Sequence, residues 1–225
     1  PISTHLEIEM NNRQNELGTK SGNGIWLASI DWLIKEHFRI SGNILFDEFT
    51  IDKDHELEKG EGHSNAVSVR AVWSPKVFKQ MYTSFFTEYI MVGTHTLRHQ
   101  SGYNNFVQRG LPLGWQAGSD GDQYRVGLNM FNNSNLITKL TFGGRRAGEE
   151  TITIDPYEPY PHFQELPFPS GTVTKTKFIT GDLHWWWKPN ISFMVGLEWL
   201  DSDKDGQEFS FHIGFDIYYP NSFKL

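Results

Sequence analysis

The chain has 225 residues, a formal net charge of −7 from 20 basic and 27 acidic side chains, and no cysteine. The acidic balance argues against a general nucleic-acid binder, and the lack of cysteine excludes disulfides and thiolate metal ligands. No apolar run reaches the length of about 18 residues that a membrane-spanning helix needs, so the sequence predicts no such helix.

Nine segments alternate apolar and polar residues, which predicts strands with one apolar and one polar face. In chain order they are 24–35, 38–51, 65–74, 79–92, 122–132, 136–145, 177–188, 191–199 and 209–219. The last two runs have about ten residues, longer than the usual soluble strand and enough to cross a bilayer when tilted. Residues 5–10 also alternate, and either a short strand or an ordinary surface segment fits them.

The predicted connections alternate between short and long along the chain. The short ones fall at 36–37, Pro75, 132–134 and 188–190, and the long ones at 52–64, 93–121, 146–176 and 201–207. Because antiparallel neighbours place successive connections at opposite ends, all long connections fall on one side of the sheet. This asymmetry is typical of bacterial outer-membrane barrels, whose short turns are periplasmic.

These patterns predict an all-β protein that folds as an antiparallel up-and-down transmembrane β-barrel. Residues 1–225 are predicted to form a single domain, located in the bacterial outer membrane. An odd number of strands is unusual for a single-chain bacterial barrel. Either residues 5–10 supply a tenth strand, or the chain is the C-terminal part of a larger barrel, and we favour the second.

The polar faces of the predicted strands carry charges of nearly balanced sign, which are Arg39, Asp47, Arg70, Glu88, Arg125, Lys139, Asp182, Glu198 and Asp216, together with Asp31 and Arg145. Charges beside an apolar strand face are tolerated only where water or an opposite charge reaches them. The set therefore indicates a lumen selective for a polar solute or a network of ion pairs that braces or plugs the barrel. The balance favours bracing, because rings of one sign mark selectivity filters.

No motif in the chain points to catalysis or to a cofactor. The segment 201–206 opens like a calcium-binding loop, but His212 stands where that loop requires a carboxylate, so we interpret it as a hairpin turn. Nucleophile-elbow, phosphate-loop and zinc-protease motifs are absent from the sequence. We therefore predict no catalytic residue, no metal and no cofactor, with a Ser/His hydrolase inside the barrel as a less favoured hypothesis.

The long connections concentrate aromatic side chains among polar ones, which are the residue types that stack on sugar rings and bond hydroxyl groups. They are Tyr103, Trp115, Tyr157, Tyr160, His162 and Phe163. The alternative is that the long loops pack on one another over the barrel mouth. Both interpretations place these loops at one end of the predicted barrel.

Four segments in register resemble motifs of one known family. They are Ile40–Phe49 (Ile-Ser-Gly-Asn-Ile-Leu-Phe-Asp-Glu-Phe), Thr87-Glu88-Tyr89, Gln108–Gly114 followed by Gly118-Ser-Asp120, and Arg145–Glu149. Together they resemble the Wzi-like capsule assembly family of outer-membrane proteins, although Asn43 and Glu48 replace the acidic residues that are usual in that family's motif.

The resemblance implies the C-terminal half of a barrel of about 18 strands. It also implies a non-enzymatic role in attaching capsular polysaccharide at the cell surface, with outer-membrane lipid and surface polysaccharide as partners of a monomer. The tentative polysaccharide-binding residues are Tyr103, Asp120, Arg145 and Arg146. The alternative function is a porin that passes small polar solutes.

Overall fold

The computed structural model describes residues 25–48, 64–76, 79, 81–97, 106–132, 135–152 and 168–218. Within these ranges the chain forms strands and no helix. The strands are β1 (Trp26–Lys35), β2 (Phe38–Glu48), β3 (Ser64–Trp73), β4 (Met81–Val92), β5 (Val107–Gln108), β6 (Leu111–Pro112), β7 (Gly121–Asn132), β8 (Leu136–Ala147), β9 (Thr174–Lys188), β10 (Ile191–Ser202) and β11 (Gly206–Ile217). No helix long and apolar enough to cross a membrane occurs in the described ranges.

Nine of these strands form one sheet in the order β1-β2-β3-β4-β7-β8-β9-β10-β11, and β5 and β6 pair with each other as a small hairpin. Every neighbouring pair in the large sheet is antiparallel. The all-β antiparallel class and the nine predicted strands are confirmed. Among the described residues the sheet is open, since β1 and β11 each pair on one side only, so barrel closure and barrel size stay predictions. The predicted strand at 5–10 lies outside the described residues.

The ends of the sheet differ in how the strands are joined. On one side the connections at 36–37, 133–135 and 189–190 are short, and on the other side 49–63, 93–120 and 148–173 are long. The long connection predicted at 201–207 is wrong, because β10 continues to Ser202 and pairs with Gly206 at the start of β11. The Ser202 Oγ accepts the backbone N–H groups of Lys204 and Asp205, each at 3.3 Å, and Gly206 supplies the positive φ that closes this tight turn.

In the middle of the sheet, the two faces have reversed exposure compared with a protein that folds around an apolar core. Large apolar side chains of one face, such as Trp32 (60% exposed) and Phe211 (66%), lie open. On the other face Glu88 is 8% exposed and Thr141 3%. We call these the apolar face and the polar face. The described residues include only three buried hydrophobic side chains but twelve buried polar or charged ones.

A close contact between β4 and β7 occupies the middle of the polar face. Phe86 of β4 is buried and lies directly opposite Gly127 of β7. A Cβ atom on Gly127 would lie 2.4 Å from Phe86 Cζ and 2.6 Å from the Leu140 backbone oxygen. Glycine is therefore required at this position so that the Phe86 ring can lie across the neighbouring strand.

We expect Gly127→Ala to lower the free energy of unfolding by about 1–3 kcal/mol, because the Phe86 ring has to move off its contact. The matched control is Gly181→Ala, where the nearest atom to an added Cβ is Leu140 Cδ1 at 3.7 Å. This control should change stability by less than about 0.5 kcal/mol. Chemical unfolding followed by tryptophan fluorescence measures both, and equal values for the two variants would contradict the packing described.

Candidate functional site

A cluster of three charges joins β3, β4 and β7 on the polar face. The carboxylate of Glu88 accepts the Nη2 and Nε hydrogen bonds of Arg125 at 2.6 and 3.0 Å, and Arg70 Nη1 approaches it at 3.4 Å. The Arg70 guanidinium also lies 4.8 Å from the centre of the Phe86 ring. This nearly buried carboxylate between two guanidinium groups links three strands through charged hydrogen bonds, and the bracing role of these residues stays a prediction.

Two further contacts hold the edge of the sheet and its long-loop end. Arg39 Nε donates to Asp31 Oδ1 at 2.6 Å, and its Nη2 forms a second bond to Oδ2, which joins β2 to β1. Asp47, buried at the end of β2, accepts the backbone N–H of Leu97 at 2.5 Å. This second contact ties the segment after β4 across the polar face.

The remaining charges of the predicted network are arranged differently. Lys139, Asp182, Glu198 and Asp216 lie on the polar face of β8 to β11. Lys139 is opposite Asp182 in register, yet no ion pair within the described ranges includes any of these four residues. The polar face therefore has a braced half at β1–β7 and a half at β8–β11 whose charges are open to water.

The carboxylate of Asp120 joins three segments at the long-loop end. Asp120 is fully buried, and its Oδ1 accepts hydrogen bonds from the Thr94 hydroxyl at 2.8 Å and the Ser170 N–H at 2.9 Å. Its Oδ2 accepts the Ser170 hydroxyl at 2.5 Å and the Glu150 N–H at 3.1 Å. The Asp120 carbonyl also accepts the Gly148 N–H at 2.8 Å. Asp120 therefore positions the loops from inside rather than presenting its carboxylate at the surface.

A cavity of about 620 Å³ lies between the polar face of β1–β4 and the segment that carries the β5–β6 hairpin. Its apolar lining includes Leu27, Leu45, Ile90, Leu97, Phe106, Leu113 and Trp115. Its polar lining includes Asn43, Ser68, Gln116, Gln123 and Arg125. An aromatic wall opposed by amide, hydroxyl and guanidinium groups suits a ligand that is apolar on one side and bears hydroxyl groups on the other.

The structure separates the residues predicted to bind polysaccharide. Tyr103 lies outside the described residues, as do Tyr157, Tyr160, His162 and Phe163. Arg145 is half-buried on the polar face, opposite Gln123 and Thr176, whereas Arg146 is on the apolar face. Since alternate residues of a strand point to opposite faces, the side chains of these adjacent arginines leave β8 on opposite faces of the sheet.

Another cluster, which the sequence analysis missed, lies on the apolar face at the long-loop end. Arg146 Nε and Nη2 donate to the two carboxylate oxygens of Asp122 at 2.9 and 2.5 Å. The Tyr89 hydroxyl donates to the same carboxylate at 3.1 Å. The signal was present in the sequence, because Asp122 follows the same alternation as the apolar residues Tyr124 and Val126.

Comparisons with known proteins assign no family to this chain. No protein-family model matches it, and no curated protein matches it. A solved structure to which it is similar is a mutant of the ferric enterobactin receptor of Pseudomonas aeruginosa, at 13% identity and a TM-score of 0.32, covering 87% of this chain and 39% of that chain. The chain thus spans well under half of that receptor, and a likeness at this level assigns neither fold nor function.

We expect Glu88→Ala to lower the free energy of unfolding by about 1–3 kcal/mol, because it leaves two guanidinium groups facing each other. The loss is below that of a fully buried pair, since both arginines reach solvent. Asp182→Ala is the control, an exposed carboxylate on the same face without an ion pair in the described part of the chain. Urea unfolding should show that the control changes the free energy of unfolding by less than about 0.5 kcal/mol. A change equally small in Glu88→Ala would rule out the bracing role.

Proposed function

We propose that this chain is part of an outer-membrane β-barrel whose apolar face contacts lipid and whose polar face lines the interior. The observation that carries the proposal is the reversed exposure of the two faces. An apolar surface extending over nine strands is too large to be left in water, and a lipid bilayer is the environment that removes it. Charged side chains on the opposite face then remain in the hydrated interior.

Strand length and loop distribution support the same proposal. The nine strands of the sheet have 10 to 15 residues, against the 9–11 that a tilted strand needs to cross a bilayer. Their backbone N–H and C=O groups pair with neighbouring strands except at the outer edges of β1 and β11. Such pairing is required in a bilayer, where no water can satisfy these groups. Further strands covering these edges would complete a monomeric barrel, and the family resemblance suggests a total of about 18 strands.

The pair Leu197→Arg and Glu198→Arg tests the membrane proposal. Leu197 lies in the middle of β10 on the apolar face, and Glu198 follows it on the polar face. We expect Leu197→Arg to destabilise the protein folded in lipid vesicles by about 2–4 kcal/mol, because it places a charge in hydrocarbon. Glu198→Arg should have a small effect, and equal losses for the two variants would refute the assignment of the faces.

We further propose that the protein is non-enzymatic and binds surface polysaccharide at its long-loop end, as the Wzi-like resemblance suggests. Two of the motifs that carry the resemblance meet there, because the Asp120 carbonyl accepts the Gly148 N–H. The Asp120 carboxylate also accepts the Glu150 N–H, and Asp47 of a third motif holds Leu97. These contacts support a fixed mouth above the polar face. Arg145 on this face, together with Gln123 and Trp115, provides groups that recognise sugar hydroxyls and rings.

Arg145→Gln should weaken the binding of purified capsular polysaccharide to the protein by about tenfold, which corresponds to one lost charged hydrogen bond. Lys139→Gln is the matched control, since it removes one positive charge from the polar face of the same strand, toward the short-turn end. Titration by surface plasmon resonance measures both affinities. Unchanged binding in Arg145→Gln would remove this residue from the proposed site.

A diffusion channel for small polar solutes is a second candidate. It is favoured by the open half of the polar face, where Lys139, Asp182 and Glu198 are exposed without ion pairs in the described ranges. Single-channel recording in planar bilayers separates the candidates. A steady large conductance from the inserted protein would favour the channel, whereas no conductance would favour the polysaccharide-binding barrel.

A further inference from the structure

The apolar face changes character at its long-loop end. Counting along the sheet, the row of Val126, Phe142 and Ile179 is apolar. The next two rows toward the long loops are Tyr124, Gly144 and Lys177, then Asp122, Arg146 and Lys175. We call Tyr89, Asp122, Tyr124, Arg146, Lys175 and Lys177 the rim cluster. These six residues line a cavity of about 600 Å³, which Arg145, Asp201 and Asp203 also border.

The guanidinium of Arg146 is held in place but not saturated. Asp122 accepts two of its N–H bonds, and the Tyr89 hydroxyl fixes the same carboxylate. Arginine has five N–H donors, so three remain for a ligand. Asp122 therefore orients Arg146, and its carboxylate is already occupied by three hydrogen bonds.

Two lysines complete the cationic side of the cavity. Lys175 and Lys177 are exposed on the same face of β9, and neither forms an ion pair within the described ranges. The Asp203 carboxylate bonds the backbone of β9, because its Oδ1 accepts the N–H of Lys175 at 2.8 Å. Asp201 lies directly opposite Lys177 in register and offsets part of its charge. The two ammonium groups and the Arg146 guanidinium remain the hydrogen-bond donors that a phosphate oxyanion would take in this cavity.

We propose that the rim cluster binds a phosphate group on the head group of a membrane lipid. This inference rests on the proposed membrane location. The cavity adjoins the apolar row of Val126, Phe142 and Ile179, so acyl chains attached to the phosphate would lie along that row. The long-loop end is the extracellular side in this architecture, and the ligand is therefore a phosphorylated lipid of the outer leaflet. Tyr89 and Tyr124 beside the cations are typical of the membrane interface.

The test uses the full protein folded in detergent micelles and native mass spectrometry with lipid A, a glycolipid bearing two phosphates, and with its dephosphorylated form. The wild type should retain lipid A, and its apparent affinity for the dephosphorylated form should be at least tenfold lower than for lipid A. Lys175→Gln/Lys177→Gln should lose at least tenfold for lipid A. Lys76→Gln/Lys188→Gln removes the same charge at the short-turn end and should bind as the wild type does.

Each other outcome overturns the proposal in an identifiable way. If the wild type retains lipid A and its dephosphorylated form equally, the rim cluster does not recognise phosphate. The same conclusion follows if the two double variants retain lipid A equally. Displacement of lipid A by millimolar inorganic phosphate would assign the site to a free anion. Release by a metal chelator would assign binding to cations bridged through Asp201 and Asp203. Folding into vesicles, measured separately, reports on the proposed membrane location alone.

Discussion

Strand pairing with a two-residue side-chain period is the constraint on which the rest of this structure depends. Because paired strands satisfy one another's backbone groups, the sheet can present an apolar face without exposing unpaired amides on it. The side chains that hold the strands together are then found on the polar face, where Glu88 binds Arg125 and Phe86 covers Gly127. Stability thus comes from the ladders and from polar-face contacts rather than from a buried apolar core.

Rigid strands also determine where a binding site can be built. The long connections leave one end of the sheet, and the buried Asp120 carboxylate fastens segments that begin after β4 and β8 and end before β9. These hydrogen bonds hold the described ends of the connections, at Thr94, Glu150 and Ser170, around one carboxylate, and fixed positions of this kind favour binding. The cavity beneath the β5–β6 hairpin lies next to Arg125, so the bracing cluster of the sheet and the lining of the cavity share one residue.

Arg145 and Arg146 illustrate how one dipeptide serves both faces. Arg145 is directed to the polar face, where the proposed polysaccharide site lies, and Arg146 is directed to the apolar face, where Asp122 orients it in the rim cluster. A glycan above the sheet and a phosphorylated lipid beside it would then be bound from adjacent positions of β8. The side chains of the two arginines are directed to different faces, so each substitution changes the chemistry of one face of the sheet.

Alternation of apolar and polar residues is a local property, and it was sufficient by itself to predict nine strands, their faces and the short turns on one side. The hairpin turn predicted at 201–206 is present, but its predicted bounds were too wide, because strand ends depend on pairing with a partner strand rather than on local pattern. Only the tertiary structure decided which charges form pairs and that Asp120 is buried, because its partner Ser170 is 50 residues away in the chain. Alternation specifies the side of the sheet to which a residue points. The side chains that it contacts on that side depend on strand register and on the folding of the loops, and a short stretch of sequence determines neither.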